Sequence, residues 1–295
     1  MPRRRRSSYH YEPLEDRTLL SVSALFSPAS GKLTIKGDCD GQAVLVEGTG
    51  DEGSLDVYYG GAHLGNFTGV KHIQAKFGSG ADTLHLSAVE IPGNLKVNMG
   101  AGEDTLVMKN TPLSGPSPDG DLLIRGNTTV KMGNNAGDYV LMNADSGTYG
   151  IYLRGNAKFL GSADVDLRGA GGSASIELPD VNVAGNLMIK LSQFGDANGD
   201  NENLRLRDVN VFGTTKILGS TSADKMEIYR SRFADRLDIN TRAGDDLIDT
   251  QIGGASSHFE GPVKVNGGAG DDTYDQSLFN VFASTETIFS IETLN

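Results

Sequence analysis

Apolar and polar residues alternate in short runs along most of this chain. Leu95-x-Val97, Leu187-x-Ile189, Leu237-x-Ile239 and Val263-x-Val265 are of one kind, and Val165-x-Leu167 is grouped with them. Leu84-x-Leu86, Leu106-x-Met108, Val140-x-Met142, Ile176-x-Leu178, Leu204-x-Leu206 and Met226-x-Ile228 form a second series, each placed just after a glycine-rich corner. A third comprises Val89-x-Ile91, Val181-x-Val183 and Val209-x-Val211, after which a glycine re-enters the next round in IPGNL, VAGNL and VFGTT. A period of two buries one face of a strand and leaves the other in solvent, and no stretch shows the 3.6 period of a helix. The grouping predicts rounds of three short strands and three bends, with the listed alternating residues pointing inward.

The corners themselves repeat. FGSGADTLHL, MGAGEDTLVM, TRAGDDLIDT and GGAGDDTYD align on Asp82, Asp104, Asp246 and Asp272. Looser copies carry Asp138 and Asp224, and two more keep the frame with Ala174 or Glu202 in place of the aspartate. The steps from 82 to 104, 202 to 224 and 224 to 246 are equal, so one round occupies about twenty residues and the longer steps contain insertions such as SGPSPDGD at 114–121. One round cannot bury its own inward face, so rounds must stack at about 4.8 Å and share backbone hydrogen bonds. The expected fold is all-β, a right-handed parallel β-helix (β-solenoid) of about eight rungs. Residues 78–281 form the repeats. Residues 22–77, with hairpin-like turns between KLTIKG, AVLVEG, SLDVYYG and HIQAKF, form an N-terminal cap. Residues 282–295 are the candidate C-terminal cap, and 1–21 are expected to be a disordered export or sorting segment that does not pack into the repeats.

Composition narrows the function. The 295 residues include 39 glycines, no tryptophan and one cysteine, Cys39, so an intramolecular disulfide is impossible. The net charge is −12, yet residues 1–21 hold five arginines against three acids, which leaves the rest more acidic still. An acidic body repels phosphates, which argues against nucleic acid, and it is compatible with bound cations. No run approaches the length of a transmembrane segment.

The corners resemble the nonapeptide G-G-x-G-x-D-x-U-x of RTX-type repeats, most closely in GGAGDDTYD. The N-terminal EPLEDRTLLS (12–21) resembles the LEPR-XLL segment of planctomycete surface and secreted proteins, with Glu15, Arg17, Leu19 and Leu20 matching and Asp16 in place of the usual proline. Together the resemblances imply an exported β-solenoid, secreted or held at the cell surface, of the adhesin-like kind. They imply Ca²⁺ as cofactor, with Asp82, Asp104, Asp246 and Asp272 as ligands beside Gly80, Gly102, Gly244 and Gly270. Surface polysaccharide or other surface proteins are the partners implied. Read without the resemblance, residues 1–26 have a basic start and an apolar stretch diluted by serines, a weak export signal.

The residues leave two readings of the corner open. A divalent ion could sit between stacked carboxylates, or each aspartate could accept hydrogen bonds from its own corner's N–H groups, as aspartates in turns do. GDANGDNEN (195–203) places acids alternately but lacks the glycine of a calcium loop, so a solvated loop is expected there. An enzyme is the rival class, because parallel β-helices also carry polysaccharide lyases and hydrolases. Its candidates are Asp164, Asp166 and Arg168 with Arg205, Arg207 and Asp208 one rung later, and His72, His85 and His258. These are outward strand positions that a charged, solvated face explains without catalysis. The reading that follows is a non-catalytic structural or adhesive module.

Overall fold

The computed structural model describes residues 22–38, 40–111, 120–133, 137–144, 151–162, 164–168, 181–191, 202–250, 256–276, 278 and 280–295. Every regular element among them is a β-strand. The strands form three sheets of eleven, twelve and eight members. From His72–Lys76 onward the chain visits the first sheet, the second, the third and then the first again, without a break in the rotation. One such round is His72–Lys76, Thr83–Ser87 and Glu90–Ile91, and the next is Leu95–Asn98, Thr105–Lys109 and Leu122–Ile124. Successive visits pair in parallel, and these long parallel sheets are compatible with a β-solenoid.

Register is strict because a slip of one residue would turn every inward side chain to solvent. In the second sheet Leu84, Leu106, Val140, Val165, Leu204, Met226, Ile248 and Tyr274 lie in one column, rung after rung. The residues expected to face inward whose side chains are described are no more than 3 % exposed. Ile176 and Leu178 lie outside the described residues. Aromatic rings extend the stacking in the third sheet, where Phe233, Phe259 and Phe282 lie nearly parallel with centroids 5.6 and 4.8 Å apart.

Four expectations need correction. The parallel part runs longer than eight rungs, because Lys32–Gly37 and Ala43–Gly48 already join it at the start. The segment 282–295 likewise continues it rather than covering it, with Val281–Phe282, Glu286–Phe289 and Thr293–Leu294 adding one strand to each sheet. Among the described residues only Val22–Ser27 and the meander of Leu55–Tyr59 and Ala62–Phe67 are antiparallel, so the N-terminal cap is smaller than expected. Finally, Val165 and Leu167 belong to the second sheet and not the first, whose strand in that round is Ala157–Ser162. Ala174 and the rest of GAGGSASIEL lie outside the described residues. In sequence, AKFLGSADVDL lacks a G-x-G-x-D corner.

The corners are tight enough to need glycine. A Cβ on Gly102 would stand 1.9 Å from the Gly80 carbonyl oxygen, and the backbone there has φ +135°. Gly270 repeats the situation against Gly244 at φ +144°. Gly102→Ala should therefore destabilise the protein by roughly 2–4 kcal/mol in urea unfolding, from strain and overlap together. Gly60→Ala, at a hairpin tip with open space around it, should cost only about 1 kcal/mol. Equal losses in the two variants would contradict the close stacking of corners.

Candidate functional site: the aspartate corners

Between the first and second sheets the strand ladder is interrupted, and backbone N–H groups at the corner need other acceptors. The aspartates supply them across rungs. Asp104 Oδ1 accepts from the Asp82 N–H at 2.9 Å, and Asp138 Oδ1 from the Asp104 N–H at 3.0 Å. Further along, Asp246 Oδ1 accepts from the Asp224 N–H at 2.7 Å and Asp272 Oδ1 from the Asp246 N–H at 2.9 Å. The carbonyls of Asp82, Asp104 and Asp246 in turn accept from the residue after the next aspartate, as Thr105 N–H does to Asp82 at 2.7 Å. The result is a column of buried aspartates along one edge of the three-sheet stack. The expectation that each aspartate serves its own corner holds for Asp224, whose Oδ2 accepts from the Ser220 N–H at 2.8 Å.

The ladder also ends where sequence reading did not look. Gln42 N–H donates to Asp82 Oδ1 at 2.8 Å, and Glu292 Oε2 accepts from the Asp272 N–H at 2.8 Å. The signal for Glu292 was present, since E-T-L at 292–294 repeats the D-T-L of 82–84 and 104–106. Glu202 holds the ladder position opposite Asp224, as its frame suggested. Gly80, Gly102, Gly244 and Gly270 all have positive φ beside the column. Ser79 pairs with Ala101, and Ala243 with Ala269, so the corners themselves stack in parallel.

A second ladder was missed entirely. At the entry to the first sheet Asn127 N–H donates to Asn94 Oδ1 at 2.7 Å, Asn156 N–H to Asn127 Oδ1 at 2.9 Å, and Asn186 N–H to Asn156 Oδ1 at 2.9 Å. Thr214 N–H continues it onto Asn186 at 2.9 Å. Its sequence signal is the recurring Gly-Asn pair, of which only the glycine had been used.

Burial dominates the electrostatics of the aspartate column. Desolvation pushes the Asp104 carboxyl up to about 7, helped by the charges of Asp138 and Asp82 and opposed by the Asp82 N–H. Asp246 is pushed up to about 6 by the same cause, and Asp82 and Asp272 are also raised. One oxygen each of Asp82, Asp104 and Asp272 is buried without a hydrogen-bond donor. These atoms allow a test of calcium. The donors are hard oxygens of the right kind, but the column offers one such oxygen per rung, where Ca²⁺ takes six to eight. Among the described residues no three His, Cys, Asp or Glu side chains converge on a point that would hold a metal. The fit is in chemistry and not in number.

Register pairs the backbone of Asp166 with Arg205 and of Arg168 with Arg207 on adjacent strands of the second sheet. The described side chains there neutralise one another. Arg205 meets Glu227 at 2.7 Å, and buried Asp208 is held by Arg207 at 3.1 Å and Arg230 at 2.5 Å. The histidines are dispersed: His72 Nδ1 accepts from the Asn94 N–H at 2.9 Å, His85 has its pKa lowered by burial, and His258 is exposed. Residues 1–21, Cys39 and most of the 195–203 loop lie outside the described residues. No protein-family model matches the chain, and no curated protein or solved structure is detectably similar to it.

The raised carboxyls fix the sign of a pH effect. A carboxyl with a folded pKa above its unfolded value binds more protons when folded. Its stabilising contribution is complete below about pH 4 and is lost as pH rises through the folded value, here between about 4 and 7. Asp104→Asn keeps an oxygen for the Asp82 N–H and removes the charge. In EDTA it should be more stable than the parent at pH 8 and no more stable at pH 4.5, by urea unfolding. A parent chain that is the more stable of the two at pH 8 would overturn the buried-charge reading.

Proposed function

We propose that this chain is a non-catalytic, right-handed parallel β-helix that acts as a structural or adhesive module, secreted or held at the cell surface. The observation that carries the proposal is the use made of the chemically competent residues. The corner aspartates are buried and committed to holding rung on rung, and the described charges nearby are paired, Arg205 with Glu227 and Asp208 with Arg207 and Arg230. What is left on the outside is a long, regular surface, which suits a module that spans and binds. The resemblance of EPLEDRTLLS to a LEPR-XLL segment supports export, and the RTX-like corners support the adhesin-like kind. The rival proposal, a polysaccharide lyase or hydrolase, would need an acid or base free to act.

Calcium is a second reading, favoured by one observation. The undonated carboxylate oxygens of Asp82, Asp104 and Asp272 stand in a buried column where desolvation, and less so the neighbouring carboxylates, disfavours the ionised form, which a divalent cation would favour. The 82/104 and 246/272 pairs are then the sites.

Two assays test these proposals. Incubation with acidic and neutral polysaccharides should generate no new reducing or unsaturated ends, and their appearance would establish an enzyme. In calorimetric titration with Ca²⁺ at pH 8, Asp104→Ala and Asp272→Ala should each remove about one ion, while Asp164→Ala removes none. Unchanged stoichiometry in both corner variants would leave the aspartates with the backbone alone.

A further inference from the structure

The outer face of the first sheet carries the opposite charge to the rest of the molecule. Nine of the chain's twelve lysines stand at outward positions on its strands, in a chain of net charge −12. Among the described residues the one acid at those positions is Asp238, which Arg236 holds at 2.7 Å. The lysines follow a rule. From round to round they are Lys76, Lys96, Lys131, Lys158, Lys190 and Lys216, one per rung, and they alternate between two columns. Lys96, Thr129, Lys158, Met188 and Lys216 share one column. Lys76, Asn98, Lys131, Leu160 and Lys190 share the other. All six are exposed except Lys190, which is half-exposed. None has an ion-pair partner among the described residues.

The spacing is set by the fold. Rungs are about 4.8 Å apart and the two columns about 7 Å apart, so positive charges zigzag along the face. Alternation separates lysines of one column by two rungs, about 10 Å, which is near the screening length in physiological salt. That lowers their mutual repulsion, but it does not explain why lysines gather here at all. Solubility alone is already served by the acidic surface elsewhere. Segregating the positive charge onto one face makes sense if something negative lies along it.

We propose that this face binds an extended anionic polysaccharide, of the polyuronate class, lying parallel to the stacking axis. A stretched 1,4-linked chain advances by about one rung spacing per sugar ring, and with two-fold twist its carboxylates project alternately to either side. One lysine per rung on alternating columns matches one carboxylate per ring on alternating sides. Half-buried Leu160, Met188 and Leu218 lie between the lysines as an apolar floor for ring faces. Lys216, Asp238, Lys264 and Asn266 border a shallow cavity of about 160 Å³ on the same face. Nucleic acid also presents regular negative charge, but its phosphates do not share the rung repeat. This proposal deepens the adhesive reading and rests on it, adding the partner and the surface.

The test uses the full chain and oligouronates of about eight sugar residues in calorimetric titration at low salt. Binding is expected, weakening steeply with added salt, with none to a neutral 1,4-linked glucan of equal length. Replacing Lys131, Lys158, Lys190 and Lys216 by Gln should weaken it roughly ten-fold or more. Gln at Lys71, Lys109, Lys225 and Arg125, none of them on this sheet, removes equal charge and should leave it within about two-fold. Thr129→Lys combined with Lys131→Thr moves one charge to the wrong column at constant net charge and should weaken binding measurably. Equal loss in both Gln variants, full binding by the swapped variant, or tighter binding of a single-stranded oligonucleotide would each overturn the proposal. Absence of binding without turnover overturns this proposal alone, whereas turnover of the oligouronate overturns the non-catalytic reading beneath it.

Discussion

The backbone N–H at each corner between the first and second sheets points along the stack, where no strand partner is available. A buried amide without an acceptor costs on the order of 1–3 kcal/mol, and the cost would recur at every rung. The aspartate of the following rung removes it, at 2.7–3.0 Å in the five inter-aspartate and terminal contacts from Asp82 to Asp272. Much else follows from that one contact. The carboxylate must be buried to reach the amide, and so its pKa rises. The corner must be tight enough to bring successive turns within hydrogen-bond distance, and so glycines sit beside the aspartate. Insertions are tolerated only where they leave the contact intact, which is why the step from Asp104 to Asp138 is long while the hydrogen bond is ordinary.

Much of this was legible in the sequence, for physical reasons. Period-two alternation reports a strand with one buried face, and its recurrence around G-x-G-x-D reports stacking, so the class of fold and the inward residues could be read directly. The parts that were missed share a cause. Glu292 does the ladder's work with a longer side chain and Gln42 joins it through its backbone N–H, so a search for aspartate passes over both. The asparagines at 94, 127, 156 and 186 look like ordinary turn residues one at a time, and only the register shows that each accepts from the next rung. The misplacement of Val165 and Leu167 arose where a round keeps the stacking without the corner motif. Hydrophobic period was the better guide there than glycine content.

Side chains at the two ladders face the stack, and those on the sheet exteriors are free for other work. Among the described residues the second sheet's exterior pairs charges locally, as in Arg205 with Glu227. The first sheet's exterior leaves its lysines unopposed. A rigid stack turns that difference into geometry, because a residue repeated once per round becomes a line with a fixed spacing. The ladder that holds the register therefore also sets the ruler for anything that binds along the outside.

Amide hydrogen exchange, resolved residue by residue, measures that dependence most directly. With the cross-rung contact in place, the N–H groups of Asp82, Asp104, Asp224 and Asp246 should exchange as slowly as those of the central strands, although they lie at corners. In Asp104→Ala the Asp82 N–H should lose most of its protection, while the Asp224 and Asp246 N–H groups keep theirs. Fast exchange at these four amides in the parent chain would contradict the ladder as the interaction that sets the stack.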